Sequence, residues 1–95
     1  MVVVSTNKEN DMKNAMFQYY DGVTMVDDTG LISLEDAIEL FESRKDSFAQ
    51  SMSVGLTCQM CIWYDCEHES DYRLAYKDWH SSNVRFENGH FWVKE

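Results

Sequence analysis

Between Ser33 and Glu67 the chain reads SLEDAIELFESRKDSFAQS (33–51), MSVG (52–55) and LTCQMCIWYDCE (56–67). The period of its apolar residues changes in the middle of that stretch. Leu34, Ala37, Ile38, Phe41 and Phe48 recur at helical spacing, which predicts one amphipathic helix through about residue 51. Ser33, followed by Glu35 and Asp36, resembles a capping box with Asp in the Glu position. Gly55 helps end the element. From Leu56 the period is two: Leu56, Cys58, Met60, Ile62, Tyr64 and Cys66 share one face of a strand, and Thr57, Gln59, Cys61, Trp63, Asp65 and Glu67 share the other. Helix and strand, each with one apolar side, are expected to pack against one another.

Working outward, Tyr72, Leu74 and Tyr76 continue the alternation in a further strand. The segment Val84–Val93 is a hairpin around Asn88-Gly89, pairing Phe86 with Phe91, Val84 with Val93, Glu87 with His90 and Arg85 with Trp92. Upstream, Ala15–Tyr20 and Val23–Val26 flank Asp21-Gly22, a second hairpin signal, with a short helix through Lys13 to Tyr19 as the competing reading. Residues 1–11 are polar after Met1-Val2-Val3-Val4 and are expected to fray. These elements predict an α+β fold: an antiparallel sheet of four to five strands with one amphipathic helix packed on one face, in one domain spanning 1–95.

Seventeen Asp and Glu against eight Lys and Arg give 95 residues a net charge of −9. The acids are clustered. Asp21, Asp27, Asp28, Glu35, Asp36, Glu39 and Glu42 form a run without an intervening base, and Asp65, Glu67, Glu69 and Asp71 form another. Such an excess repels nucleic acid and anionic membranes and attracts basic protein surfaces. The four bases Arg73, Lys77, Arg85 and Lys94, interleaved with Trp63, Trp79 and Trp92, make only a weak funnel for single strands under that field. No stretch approaches the roughly 20 apolar residues of a membrane span. The start lacks a basic region and an apolar middle, so a cytoplasmic location is expected.

Several motifs compete for a chemical role. Cys58, Cys61, Cys66 and His68 supply four zinc-type ligands within eleven residues, the basis of an alternative reading as a small zinc-stabilised domain. On a strand, however, Cys58 and Cys61 point to opposite faces and cannot share an ion. Asp27–Asp36 resembles the later part of an EF-hand loop, with Gly30 in the sixth position and Asp36 in the twelfth, but Met25 would be its first ligand. His68, His80 and His90 with Cys61, Ser81 or Ser82 contain the residue types of a base–nucleophile pair, with no motif that fixes their geometry. No catalytic role and no cofactor are expected.

The carboxylates carry the strongest signal. Glu35, Glu39, Glu42 and Asp46 recur on one helical face, where such steps space side chains by about 5–6 Å. Acids alternating on a strand lie about 6.6 Å apart. Both spacings are comparable with those of phosphates along a nucleic-acid strand. In composition the chain resembles small early host-takeover proteins of bacteriophages. That resemblance implies an inhibitor of the anti-restriction or anti-CRISPR kind, covering a basic, nucleic-acid-binding surface of a host enzyme. Glu35, Glu39, Glu42, Asp46, Asp65, Glu67, Glu69 and Asp71 would form the array, and Trp63, Trp79 or Trp92 the anchors. Exposed tryptophans would equally suit a homodimer.

Overall fold

The computed structural model describes residues 12–94. Along it run β1 (Met16–Asp21), β2 (Thr24–Asp28), α1 (Leu34–Ser43), α2 (Lys45–Ser53), β3 (Cys58–Trp63), β4 (Ala75–His80), β5 (Val84–Glu87) and β6 (His90–Val93). The first four strands form an antiparallel sheet in the order β2-β1-β3-β4, and β5 and β6 form a sheet of their own. The class is α+β. The expected fraying of residues 1–11 lies outside the described residues.

The cap is as the sequence predicts. Ser33 is extended (φ −72, ψ 154), and its Oγ accepts from the Asp36 N–H at 3.1 Å. The single long helix is corrected to two. At the joint the Arg44 N–H is shared between the carbonyls of Leu40 and Phe41 (3.1 and 3.2 Å), and the Ser43 hydroxyl donates to the Leu40 carbonyl at 2.8 Å. A serine that bonds back to the preceding turn competes with the helical ladder and bends it.

Both helices cover one face of the larger sheet. Phe17 and Tyr19 of β1, Cys58, Met60 and Ile62 of β3, and Trp79 of β4 pack there against Ala37, Phe41 and Phe48. The alternation read from the sequence therefore selects the right side of β3. The strand is shorter than predicted, because Asp65 adopts a positive φ of 59° and turns the chain. Leu56 precedes the strand and is exposed. β4 begins at Ala75 rather than Tyr72, so Tyr72 and Leu74 lie in the approach to it.

The Asn88-Gly89 hairpin has every predicted pair in register. Positive φ at Asn88 (55°) and Gly89 (78°) gives the type I′ pattern whose twist suits the strands. In the first hairpin Asp21 pairs with Thr24, so the loop is Gly22-Val23, one residue later than Asp21-Gly22. Only Gly22 there has positive φ (69°), the type II′ pattern. The second sheet docks on the core through Val84, which is buried, and Phe91, whose ring lies 5.0 Å from that of Trp79.

Candidate functional site

Glu35, Glu39 and Glu42 are exposed on α1, and Asp46 is exposed in the first turn of α2 beyond the bend. The second acidic cluster is not a strand edge. Asp65, Glu67, Glu69 and Asp71 lie in the loop between β3 and β4, tied back by Cys66 N–H to the Asn14 carbonyl (2.8 Å) and Tyr64 N–H to that of Leu74 (2.9 Å). This loop meets the start of α1: the Glu69 carboxylate packs against Gly30, where a Cβ would come within 2.8 Å of Oε2. The second acidic cluster thus lies beside the segment that leads from β2 into α1.

Not every acid in them is free to face a partner. Asp27 holds Arg44 in a two-bond pair, Oδ2 to Nε at 2.7 Å and Oδ1 to Nη2 at 3.2 Å. Lys45 pairs with Glu42 at 2.8 Å. The apparent lack of bases in the first run is therefore repaired in three dimensions by the residues just after it. Asp71 serves the loop: its Oδ2 accepts the N–H groups of Glu67 (2.7 Å) and His68 (3.0 Å), which hold its carboxyl below the usual carboxylate range. Among the described residues Glu35, Glu39, Asp65, Glu67 and Glu69 have no ion-pair partner within 4.0 Å.

The three tryptophans have three different surroundings. Trp79 is in the core, 8% exposed, with the rings of Phe41 and Phe48 at 5.0 and 5.9 Å; as an anchor for a partner it is corrected to a structural residue. Trp63 is half-buried, and its Nε1–H donates to Gln18 Oε1 at 3.0 Å. Trp92 stands exposed on β6, away from the acidic end. Sequence reasoning passed over the rings that do adjoin the acidic loop. Tyr64, Tyr72 and Tyr76 are exposed there, in edge-on pairs of Trp63 with Tyr72 (5.3 Å) and Tyr64 with Tyr76 (6.1 Å), and Leu74 lies exposed between them in the chain. Their period-two spacing looks like a buried strand face. The signal available was the dense flanking charge, Asp71 and Arg73 on one side and Lys77 and Asp78 on the other.

The cysteines are all buried and unpaired by disulfides. Cys58 faces the helices. Cys61 lies on the opposite face, paired across with Gln18 and Asp78. Burial, with a smaller push from Asp78, raises the Cys61 thiol to about 12; Cys58 and Cys66 are raised as well, chiefly by burial. Among the described residues no group of three or more His, Cys, Asp or Glu is placed to hold a metal ion, so Cys58, Cys61, Cys66 and His68 do not form a zinc site. The EF-hand-like segment divides between β2, a turn and the cap of α1, with Asp27 already committed to Arg44.

His80 and Ser82 do come together, Oγ to Nδ1 at 2.8 Å. The Ser82 backbone N–H also donates to Nδ1, at 3.0 Å, and the Asn83 Oδ1 accepts from the His80 N–H at the same distance. The ring nitrogen facing the hydroxyl is thereby occupied in closing the β4–β5 turn. Nor do the bases gather on one face: Lys77 lies over the Phe41 ring at 5.2 Å, Arg73 is 4.0 Å from Asp71, and Arg85 is 3.6 Å from Glu87.

Fold and surface together define a small α+β domain with an acidic, tyrosine-bearing end. No family model, curated protein or solved structure matches the chain. No helix among the described residues is long and apolar enough to cross a membrane.

Proposed function

We propose that the chain is a non-catalytic acidic binding module that covers a basic, nucleic-acid-binding surface of another protein. The observation that carries this reading is the approach of the Glu69 carboxylate to Gly30, which sets the loop of Asp65, Glu67 and Glu69, with Tyr64, Tyr72 and Tyr76 exposed around it, beside the segment leading into the helix that carries Glu35 and Glu39. Unpaired like charges cost stability through self-repulsion, and a cationic partner relieves that cost. The carboxylates would speed encounter, and the aromatic rings, rather than Trp79, would govern release. A host nucleic-acid enzyme blocked in the manner of an anti-restriction or anti-CRISPR inhibitor is the partner class that the composition suggests.

The test is a pull-down from bacterial lysate with the tagged protein at low and high salt, followed by binding kinetics on whatever is retained. The expected result is one stoichiometric nucleic-acid enzyme, held at low salt and displaced by added DNA. Glu35→Lys with Glu39→Lys and Glu69→Lys should then slow association several-fold at low salt while the fold persists. Retention insensitive to both salt and DNA, or an unchanged on-rate, would remove the acidic-array reading.

A further inference from the structure

A second surface lies away from the acidic end, between the last turn of α2, the Gly55–Thr57 turn and β5. It is a groove of about 450 Å³, with Met52, Leu56, Val84 and Phe86 among its walls. Leu56 and Phe86 are each 45% exposed. Apolar side chains left open together mark an interaction surface more often than scattered ones do. None of the residues lining the groove is a carboxylate, although the chain has seventeen. The single charge on it, Arg85, faces Glu87 at 3.6 Å, which leaves the surface nearly neutral.

We propose that this groove receives a second copy of the same chain, forming a two-fold dimer in which Phe86 of each copy enters the hollow beside Met52 and Leu56 of the other. Charge selects that occupant. A basic protein gains nothing from a neutral groove and would be drawn to the acidic end. Two copies of a chain of charge −9 repel one another wherever carboxylates face, and a groove walled without carboxylates spares them that repulsion. Phe86 is a half-exposed wall of the hollow, and a ring and a hollow side by side on one surface can be self-complementary under a two-fold axis. Ten residues line the groove, against roughly 20–30 a side in a standard interface, so the dimer should be weak, with a dissociation constant of about 10–100 µM. The proposal is independent of the acidic end's function, and it leaves that end open on both copies.

Sedimentation equilibrium of the full chain from about 5 to 500 µM, at low and high salt, tests it across the range where such an affinity is visible. The expected result is a monomer–dimer equilibrium that tightens as salt screens the net charge, by about threefold or more between 0.05 and 0.5 M. This sign is opposite to that expected for a basic partner at the acidic end. Phe86→Asp and Leu56→Asp should each weaken the dimer by about tenfold or more, by burying a carboxylate in a dry contact. Leu56 is half-exposed in the turn after α2 and outside the core, so its substitution spares the fold if Phe86→Asp disturbs the Phe91 contact. A chain that stays monomeric throughout, a dimer that neither variant weakens, or amide shifts on self-association centred on Tyr64–Tyr76 would each overturn the proposal.

Discussion

Two groups of aromatic rings sit at opposite ends of the β3–β4 pair. Phe41, Phe48, Trp79 and Phe91 interlock beneath the helices, with Trp79 touching the other three at 5.0 to 5.9 Å. Trp63, Tyr64, Tyr72 and Tyr76 instead form two separate edge-on pairs beside the acidic loop, with the three tyrosines open to solvent. The same residue types thus serve cohesion at one end and presentation at the other. The deciding factor is the cover: α1 and α2 lie over the first group, whereas only a carboxylate-rich loop adjoins the second.

Substitution of Trp79 should break the comparison most strongly. Trp79→Ala removes the ring shared by both helices and the second hairpin, and it should cost about 3–5 kcal/mol in urea unfolding. A loss as small as that of a surface change would mean that the rings do not form one unit. Alkaline pH probes the same interior without substitution. An unfolded thiol ionises near its ordinary pKa, but the folded chain keeps the Cys61 proton to about 12, so the folded state binds more protons over that window. Stability should therefore fall as pH rises from about 8.5 toward 12, and a Cys61→Ala variant should show a shallower decline in the midpoint of unfolding.

Smaller effects sharpen the distinction. Ser33→Ala removes the bond to the Asp36 N–H and should cost about 1 kcal/mol, read in the same unfolding curves. At the acidic end, Tyr72→Ala and Tyr76→Ala should each alter stability by less than about 0.5 kcal/mol, since neither ring is enclosed. Their effect should appear as faster release from a partner, and a folding loss equal to that of Trp79→Ala would erase the division. Asp71 offers the mildest perturbation. Its folded carboxyl titrates below the usual range, so the loop contacts are present at neutral pH and are lost as pH falls through that depressed value. The amide resonances of Glu67 and His68 should then move at a pH below the usual carboxylate range, and movement within that range would contradict the two hydrogen bonds.

Local signals in the sequence carried far. The Asn88-Gly89 hairpin, the Ser33 cap and the inward set Cys58, Met60 and Ile62 depend on neighbours within a few residues, and all three are legible from spacing. What was not legible depends on distant partners. Asp27 and Arg44 lie seventeen positions apart, and their pair both neutralises an acid and ties the joint between the helices to β2. Trp79 alternates like any strand residue, and only the arrival of Phe41 and Phe48 buries it. The convergence of Glu69 with Gly30 likewise requires the loop after β3 to return beside the start of α1. For the candidate surface, the sequence therefore revealed the acids but not the tyrosines beside them.

The strand order carries a consequence for how the chain reaches this state. β1–β2 and β5–β6 are joined by two-residue loops, so each can zip within microseconds of collapse. The β1–β3 pairing is different: Asp21 meets Cys58 only after the segment bearing both helices has closed as a loop. That closure costs chain entropy before its contacts reward it, and it places the slow step at the centre of the larger sheet. Docking of Phe41 and Phe48 onto that central pair is then the event that commits the molecule. Variants at those two rings should slow refolding, whereas those at the Asn88-Gly89 turn should leave its rate nearly unchanged.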